Sequence, residues 1–223
     1  KYDNDFEDYS RSENDYILQY TGGTTGLPKG VMWPHKNFFF ACLGGGGIYA
    51  GLPPISMPDE QGKIASDASP MKILPCAPLM HGAAMWTALS GILGGMTIVL
   101  DPMKNGFNAN KTWDKVEHEG VNIMQIVGDA MAIPLLNSLK SKTKKWDLSN
   151  LVHLGSGGAV FSRHIKAEFK KILPKCTIAD GMGTSETGIS GMGSMSLQEG
   201  IMQLPLTENQ QVIIDDRIAG INE

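Results

Sequence analysis

The sequence lacks an excess of basic residues. Lysine and arginine together number 19, against 23 aspartates and glutamates, and the formal net charge is −4. Proteins that hold a nucleic-acid backbone do so mainly with clustered lysine and arginine, so we expect no nucleic acid partner. The 27 glycines and 12 prolines fall short of the roughly 25–30% typical of low-complexity chains. A chain of 223 residues with this composition predicts a globular protein of one large domain or slightly more.

Cysteine is also scarce. Cys42, Cys76 and Cys176 are far apart, form no C-x-x-C pair, and have no histidine nearby at metal-ligand spacing. We interpret them as small buried hydrophobic residues in a reducing compartment. The first 16 residues are polar and acidic, unlike a signal peptide. These features predict a cytoplasmic protein.

Long hydrophobic runs are nearly absent. The stretch from Ile73 to Leu100 contains no Asp, Glu, Lys or Arg and exceeds the roughly 20 residues that span a bilayer. Its prolines and glycines, however, divide it into short pieces. We interpret it as a buried strand, a helix and a second strand, and predict no transmembrane segment.

Short apolar runs alternate with helix-length segments along the chain. The runs predicted as buried strands are Tyr16–Tyr20, Lys72–Cys76, Met96–Leu100, Val121–Val127, Leu151–Leu154 and Cys176–Ala179. The segments predicted as helices are Lys36–Leu43, Ala83–Leu93, Asn110–Glu119, Ala130–Leu139 and Ser162–Leu173, the last with Ser162 as N-cap. This alternation predicts an α/β fold with largely parallel sheets flanked by helices. A lysine group at positions 140–145 is interpreted as a solvated loop rather than an anion site.

A glycine-rich segment directly follows the first predicted strand. Residues 21–30 are Thr-Gly-Gly-Thr-Thr-Gly-Leu-Pro-Lys-Gly. Glycines let backbone N–H groups approach an anion closely, the threonines add hydroxyl donors, and Lys29 adds a positive charge. It is not a Walker A loop, because no Ser or Thr follows a Gly-Lys pair. The segment predicts a phosphate-binding loop, with an ordinary glycine-rich turn as the alternative.

Three further segments contain candidate functional residues. Residues 180–188 are Asp-Gly-Met-Gly-Thr-Ser-Glu-Thr-Gly, residues 78–82 are Pro-Leu-Met-His-Gly, and residues 155–159 are Gly-Ser-Gly-Gly-Ala. Together with the glycine-rich segment they resemble, in the same order, the motifs of the adenylate-forming (ANL) superfamily of acyl-CoA synthetases, luciferases and peptide-synthetase adenylation domains. The resemblance runs from about Asp15 to Gly188.

The resemblance implies an identity for the whole chain. The 223 residues would be part of an AMP-binding domain, the large N-terminal domain of the family, without the upstream part of that domain and without the small C-terminal domain. The implied activity is that of an AMP-forming acyl-CoA ligase, which activates a small-molecule carboxylic acid with ATP and Mg²⁺ and then forms a thioester with coenzyme A. The oligomeric state and the particular acid are left open. We expect this stretch alone to be nearly inactive.

The resemblance also implies roles for individual residues. Glu186, Ser185 and Thr21 would be catalytic, with Glu186 as the Mg²⁺ ligand, and His81 and Gly183 would contact the acid. The implied nucleotide-binding positions are Thr21, Gly22, Gly23, Thr24, Thr25, Gly26, Lys29, Gly157, Gly158, Ala159, Gly181, Met182, Gly183 and Ser185.

Two residues depart from the family pattern. Met182 stands where many members place an aromatic ring against adenine, and Ser185 replaces the usual Thr. His81 has the alternative role of a hydrogen-bonded core residue, and Gly157–Ala159 the alternative of a tight turn. Apolar neighbours of His81 favour a fatty, aromatic or steroid-derived acid.

The sequence also suggests two other functions. A serine hydrolase requires G-x-S-x-G, and Thr187 occupies the place of the second glycine, which argues against it. A nucleotide-binding module without catalytic activity remains the alternative, because a ribose-binding aspartate and a catalytic lysine in their family settings are not found. Asp215 and Asp216 lack that setting and receive no role.

Overall fold

A computed structural model describes residues 10–22, 26–46, 55–57, 60–101, 106–141, 144–194, 213–214 and 217–218. The strands are β1 (Tyr16–Thr21), β2 (Lys29–Pro34), β3 (Lys72–Pro75), β4 (Thr97–Ile98), β5 (Ile123–Ile126), β6 (His153–Gly157), β7 (Thr177–Thr184), β8 (Gly188–Ser194), β9 (Ile213–Ile214) and β10 (Arg217–Ile218). The helices are α1 (His35–Cys42), α2 (Gln61–Asp67), α3 (Gly82–Leu93), α4 (Ala109–Glu119), α5 (Gly128–Lys140) and α6 (Arg163–Ile172), with a short 3₁₀ turn at Gly44–Gly46.

The centre of the fold is a six-stranded sheet in the order β4-β3-β5-β6-β7-β8. Strands β3 to β7 are parallel, and β8 returns antiparallel to β7. The connection after β3 leads to β4 at one edge, whereas the connections after β5 and β6 lead toward β8 at the other. Because crossovers between parallel strands are right-handed, this change of direction places α3 on the opposite face of the sheet from α5 and α6.

One face of the sheet, here called the back face, is covered by α4, α5 and α6. It presents apolar side chains at alternate positions, including Leu74, Met124 and Leu154, all with no exposed surface. Trp113 and Phe169 from the helices are also fully buried and belong to the same cluster. This is the main hydrophobic core, and it explains why these helices have one apolar stripe each.

The other face, here called the front face, carries α3, α1 and the hairpin of β1 and β2. A smaller cluster joins them, centred on Phe38, Cys42, Leu43 and Trp86. The hairpin is antiparallel, with Tyr16 opposite Pro34 and Thr21 opposite Lys29. It forms a separate two-stranded sheet.

The structure confirms the predicted α/β class and the largely parallel sheet. Every segment predicted as a strand or a helix overlaps an element of that type, with shifted ends. The prediction that Tyr16–Tyr20 is buried is wrong, since Tyr16, Leu18 and Tyr20 are each more than half exposed. Alternate apolar residues of a two-stranded hairpin face outward, and a sequence run does not reveal on which side its cover lies. The strands β2, β8, β9 and β10 and the helix α2 are not among the predicted elements.

Two local predictions need correction. Ser162 does occupy the N-cap of α6, but its hydroxyl donates to the Asp129 carboxylate instead of accepting from the helix. The lysine group is not one loop, because Lys140 ends α5 and pairs with Glu168, while Lys144 pairs with Asp114. Lys142 lies outside the described residues.

The stretch from Ile73 to Leu100 forms β3, α3 and β4, as predicted. Across the described ranges, no helix combines the length and the apolar character that crossing a bilayer requires.

Candidate active site

A cavity of about 620 Å³ opens at the carboxyl ends of β3, β5, β6 and β7. It lies where the connections after β3 and β5 run in opposite directions, and such a change of direction leaves a crevice in which α/β proteins bind ligands. The residues that line it are Ala77, Pro78, His81, Gly82, Ala83, Trp86, Thr87, Gln125, Val127, Ala130, Met131, Ser156, Gly157, Gly158, Gly181, Met182, Gly183, Thr184, Ser185 and Ile189.

The cavity exists because the front face carries few side chains near this edge. Register pairs Gln125 of β5 with Gly155 of β6, and Gly155 with Ala179 of β7, while Gly157 is opposite Gly181. Four of these five positions have a methyl group or nothing beyond Cα. The backbone of β6 and β7 therefore forms the floor of the cavity.

The first turn of α3 forms one wall. His81 precedes the helix, is exposed and lines the cavity. Gly82 follows it, and a Cβ there would lie 2.8 Å from Gln19 Nε2 and 3.0 Å from the Trp86 ring. Glycine at this position leaves room for both side chains. The location of His81 supports the pocket-lining role over that of a core residue.

A hydrogen-bond network joins this wall to the segment around Ser185. The Trp86 Nε1–H donates to Gln19 Oε1 over 3.1 Å, and Gln19 Nε2 donates to Ser185 Oγ over 3.4 Å. The Trp33 Nε1–H donates to the Ser185 carbonyl over 2.8 Å. Gln19 is 4% exposed and lies two residues before Thr21. The network therefore ties β1, which leads into the phosphate-loop candidate, to both α3 and the 180–188 segment.

The 180–188 segment forms the end of β7, a turn, and the start of β8. Met182 is 51% exposed and lines the cavity, and Glu186 is exposed in the turn. The Thr187 N–H donates to Thr184 Oγ1 over 3.1 Å and closes the turn. Gly188 has φ +74, and a Cβ there would lie 2.4 Å from the Ala41 carbonyl oxygen. This glycine lets β8 start against α1.

An ion pair anchors the same segment on the back face. Lys166 Nζ of α6 lies 2.9 Å from Asp180 Oδ2, and the two side chains are only 8% and 15% exposed. The same ammonium lies 5.5 Å from the centre of the Phe161 ring. Lys166 and Asp180 thus fix β7 just before Met182 enters the cavity.

The phosphate-loop candidate is described only in part. Thr21 ends β1, and its Oγ1 donates to the Lys29 carbonyl over 3.4 Å. Gly22 and Gly26 are exposed, and Lys29 begins β2 as an exposed residue. Gly23, Thr24 and Thr25, which were predicted to bind the nucleotide, lie outside the described residues. The site roles of this loop therefore stay predictions.

The 155–159 segment ends β6 at the cavity. Gly157 and Gly158 line it, and Ala159 is exposed just beyond. Ser156 points to the back, where its Oγ accepts from the Gly128 N–H at the start of α5 over 2.9 Å. This bond joins the end of β6 to the start of α5.

Burial governs the titration of several groups around the sheet. It raises the pKa of the Cys42 thiol to about 12 and that of Cys176 to about 11, and it raises the pKa of Cys76 further, with a smaller contribution from the Asp101 charge. Burial also lowers the pKa of His153 below its usual value. The three thiols are buried and protonated at neutral pH, as their interpretation as small hydrophobic residues predicts.

The structure brings seven of the sixteen predicted site residues together at one cavity. His81, Gly157, Gly158, Gly181, Met182, Gly183 and Ser185 line one cavity. Sequence reasoning missed Gln19, Trp86 as a hydrogen-bond donor, and Gln125. Gln125 did leave a signal, since it is a polar residue inside the apolar run Val121–Val127. Gln19 left the same signal inside Tyr16–Tyr20.

Comparison with known proteins covers almost the whole chain. The model of the family described as AMP-binding enzyme matches residues 3–218. A medium/long-chain-fatty-acid–CoA/3-oxocholest-4-en-26-oate–CoA ligase of Mycolicibacterium smegmatis is 38% identical over 214 residues, 92% of this chain and 38% of that protein. A 3-oxocholest-4-en-26-oate–CoA ligase of Rhodococcus rhodochrous is 37% identical over 193 residues, 85% of this chain and 34% of that protein.

A solved structure shares the fold. The o-succinylbenzoate coenzyme A synthetase of Bacillus subtilis in complex with AMP superimposes with a TM-score of 0.69 at 20% identity, over 95% of this chain and 40% of that one. The chain thus spans well under half the length of the relatives it matches. The family match over residues 3–218 and the shared motifs nevertheless lead to one conclusion: this chain belongs to the family of AMP-binding enzymes.

Proposed function

We propose that the complete protein containing this chain is an AMP-forming acyl-CoA ligase. A carboxylate oxygen of the acid attacks the α-phosphorus of ATP, the bond to the β-phosphate oxygen breaks, and acyl-adenylate and pyrophosphate form. The thiol of coenzyme A then attacks the acyl carbon, giving the thioester and AMP. The observation that carries this proposal is the convergence of residues 81, 157–158 and 181–185 on one cavity at the carboxyl edge of the sheet.

Ser185 is the proposed donor to the α-phosphate. Its Oγ accepts a hydrogen bond from Gln19 Nε2, so its own hydroxyl hydrogen is available to a phosphate oxygen. Its carbonyl is fixed by Trp33 Nε1. A donor held in place before the reaction stabilises developing charge without reorganisation.

Glu186 is the proposed ligand of Mg²⁺. It offers an exposed carboxylate in the turn after β7, next to the proposed phosphate contact Ser185. Mg²⁺ prefers hard oxygen ligands and usually takes one or two carboxylates together with substrate phosphates, so this residue fits the ion. Mg²⁺ when bound would neutralise phosphate charge. Thr21 and Lys29, with the rest of the loop, would hold the β- and γ-phosphates.

The relatives and the cavity support a proposed substrate class. Two relatives are named for fatty acids or for a steroid-derived acid, and the cavity has apolar walls from Ala83, Trp86 and Val127. We propose a hydrophobic carboxylic acid as substrate, coenzyme A as acceptor, and a cytoplasmic location. We also propose that residues 1–223 are part of a larger AMP-binding domain, and the small share of each relative that the chain covers supports this proposal.

The test is Glu186→Ala in the complete protein, assayed by carboxylate-dependent exchange of pyrophosphate into ATP. We expect exchange to fall by about 10²–10³-fold, the cost of removing one aimed charge-stabilising group, while the thermal midpoint stays nearly unchanged because Glu186 is exposed. Glu119→Ala, at the end of α4 on the back layer, is the matched control and should retain exchange.

Two results would contradict the proposal. Full exchange in Glu186→Ala removes this residue from the site. Nucleotide binding with no exchange for any carboxylic acid, in the complete wild-type protein, favours instead a nucleotide-binding module without catalytic activity.

A further inference from the structure

A buried carboxamide joins the first strand to the cavity wall. Gln19 is 4% exposed, whereas its neighbours on β1, Leu18 and Tyr20, are each more than half exposed. Because successive side chains of a strand point to opposite sides, Gln19 points away from the exposed face of the hairpin, toward α3. A buried amide costs free energy unless it is hydrogen-bonded. Gln19 is hydrogen-bonded at both of its polar atoms.

The first hydrogen bond fixes which way the amide is turned. The Trp86 Nε1–H donates to Gln19 Oε1 over 3.1 Å, and both side chains are buried. An indole N–H can only donate, so the amide must present its oxygen to Trp86. The amide nitrogen is then turned away from the indole. Trp86 therefore sets the orientation of the Gln19 amide.

The second hydrogen bond reaches Ser185. Gln19 Nε2 lies 3.4 Å from Ser185 Oγ, which is long for an N–H to oxygen bond, and hydrogen bonds at active sites often shorten in the complex with substrate. An amide nitrogen can only donate, so Ser185 Oγ is the acceptor. Among the described residues, no group accepts a hydrogen bond from the Ser185 hydroxyl. Its hydrogen can therefore be donated into the cavity that Ser185 lines.

Two further contacts keep the amide and the serine in place. The Trp33 Nε1–H of β2 donates to the Ser185 carbonyl over 2.8 Å and so fixes the backbone from which Oγ extends. On the other side, a Cβ on Gly82 would lie 2.8 Å from Gln19 Nε2, which shows that the amide rests against the first turn of α3. The bond between Gln19 and Ser185 is thus held at both ends.

We propose that Gln19 is a positioning residue for adenylation: oriented by Trp86, its amide makes Ser185 Oγ an acceptor and thereby directs the Ser185 hydroxyl hydrogen to the α-phosphate. The inference rests on the proposed function. The chain of hydrogen bonds runs in one direction, from indole to amide to hydroxyl to phosphate, because the indole N–H that starts it cannot accept. A donor that is oriented before the reaction needs no reorganisation as charge develops on the phosphate.

Gln19→Glu tests this direction with little change of shape. The carboxylate accepts from Trp86 as the amide oxygen does, but it cannot donate. The Ser185 hydroxyl then donates to the carboxylate and is lost to the phosphate. In the complete protein we expect kcat for carboxylate-dependent pyrophosphate exchange to fall by up to about 10²-fold, the lower end for loss of one oxyanion donor. KM for the acid should stay nearly unchanged, as for an interaction made only in the transition state.

A double-mutant cycle separates this effect from repulsion between the new carboxylate and the phosphates. Ser185→Ala has no hydroxyl to direct, so adding Gln19→Glu to it should lower kcat by less than about twofold, the margin within which independent effects add. Repulsion by the charge, or a disturbed cavity wall, would lower kcat equally in both backgrounds.

Two more variants guard against effects of burial and folding. Gln61→Glu places the same carboxylate at another buried glutamine, on α2, whose Nε2 donates to the Leu93 carbonyl and which does not line the cavity. It is the matched control and should keep the wild-type kcat. Gln19→Leu introduces no charge and serves if Gln19→Glu does not fold. It leaves the hydroxyl to rotate among its three staggered positions, so kcat should fall by about threefold, and this fall should be absent in Ser185→Ala.

The outcomes separate the two proposals. Equal losses of kcat with and without the Ser185 hydroxyl overturn the role of Gln19 and leave the ligase activity standing. A wild-type kcat in Gln19→Glu or in Ser185→Ala, or a loss confined to KM, also overturns it. No exchange with any acid in the wild-type protein overturns the ligase proposal and the role of Gln19 with it.

Discussion

The two faces of the central sheet are built from the same strands, but side chains fill the space on one face and leave a cavity on the other. On the back face, Leu74, Met124 and Leu154 meet α4, α5 and α6 with no exposed surface. On the front face, Gly155 and Gly157 contribute no side chain, and a cavity remains. Alternation along one strand thus separates stability from binding, because odd and even residues point to opposite sides.

This comparison predicts which mutations should affect stability and which should affect ligand binding. Truncations on the back face should reduce the free energy of unfolding, since interiors are packed with few voids. Changes on the front face should alter ligand handling with smaller effects on stability, because the space there is already open. The predictions below run from the largest expected effect to the smallest.

The largest effect is expected for Phe169→Ala on the back face. Phe169 has no exposed surface and its ring meets that of Phe161 edge to face, with centroids 6.2 Å apart. We expect the free energy of unfolding to fall by about 4–5 kcal/mol, the upper range for Phe→Ala in a core, in denaturant titration. Met182→Ala on the front face, at a half-exposed side chain, should change it by only about 0.5 kcal/mol. Equal losses would break the comparison.

Next is the ion pair that anchors β7 from behind. Lys166→Met leaves the Asp180 carboxylate without its partner in a site where the two side chains are 8% and 15% exposed. We expect a loss of about 3 kcal/mol in the free energy of unfolding, the lower end for a broken buried pair. The double variant Lys166→Met/Asp180→Leu should recover part of it. A loss of less than about 1 kcal/mol would place this pair with surface ion pairs.

A smaller effect on stability is expected for Gly82→Ala at the cavity wall. The new Cβ would lie 2.8 Å from Gln19 Nε2 and 3.0 Å from the Trp86 ring, so that overpacking should cost about 1–3 kcal/mol. Because Gln19 also bonds Ser185, we expect pyrophosphate exchange to fall more than stability does. In Gly62→Ala on α2, where a Cβ meets nothing within 4 Å, stability should stay or rise. Similar exchange in both variants would contradict the coupling.

The smallest effect is expected at the surface of α6. Hydrogen bonds and charges from Lys140 and Lys171 lower the pKa of Glu168 to about 2 from its usual 4.5. A lowered pKa in the folded protein means that the ionised form stabilises the fold above about pH 4.5 and that this contribution is lost as the pH falls toward 2. Wild type should therefore exceed Glu168→Gln slightly in thermal midpoint at pH 7, and the difference should vanish near pH 2. If the thermal midpoints still differ at pH 2, the effect of Glu168 arises from packing and not from its charge.

Much of the fold followed from the sequence. The runs Lys72–Cys76, Val121–Val127 and Cys176–Ala179 became β3, β5 and β7, because a buried parallel strand must be apolar on both faces. The strands β2, β8, β9 and β10 were missed. Lys29–Pro34 begins with a lysine and a glycine and ends with a proline, and Gly188–Ser194 has three glycines, so neither has the pattern of a strand. Backbone hydrogen bonds to β1 and β7 hold these two segments as strands, although their own residues do not favour that structure.

The sequence predicted the motif residues of the candidate site. It did not predict the residues that hold those motifs in place by hydrogen bonds. His81, Gly157, Gly158 and Met182 were picked from the sequence and line one cavity. Gln19 is 166 positions from Ser185 and 67 positions from Trp86, so no local pattern indicates that it bonds both. The only local indication of a special role for Gln19 is that it is a polar residue inside an apolar run.

The sequence by itself determined most of the segments that form strands and helices, that the sheet is mostly parallel, and which motifs are predicted to bind phosphate. These are local properties, set by side-chain periodicity, by turn residues and by the donors that an anion needs. Only the tertiary structure decided which strand face is empty, that Gln125 lies over Gly155, and that Gln19 joins Trp86 to Ser185. Those facts depend on strand order and register, which bring together residues far apart in the chain, and no segment contains that information alone.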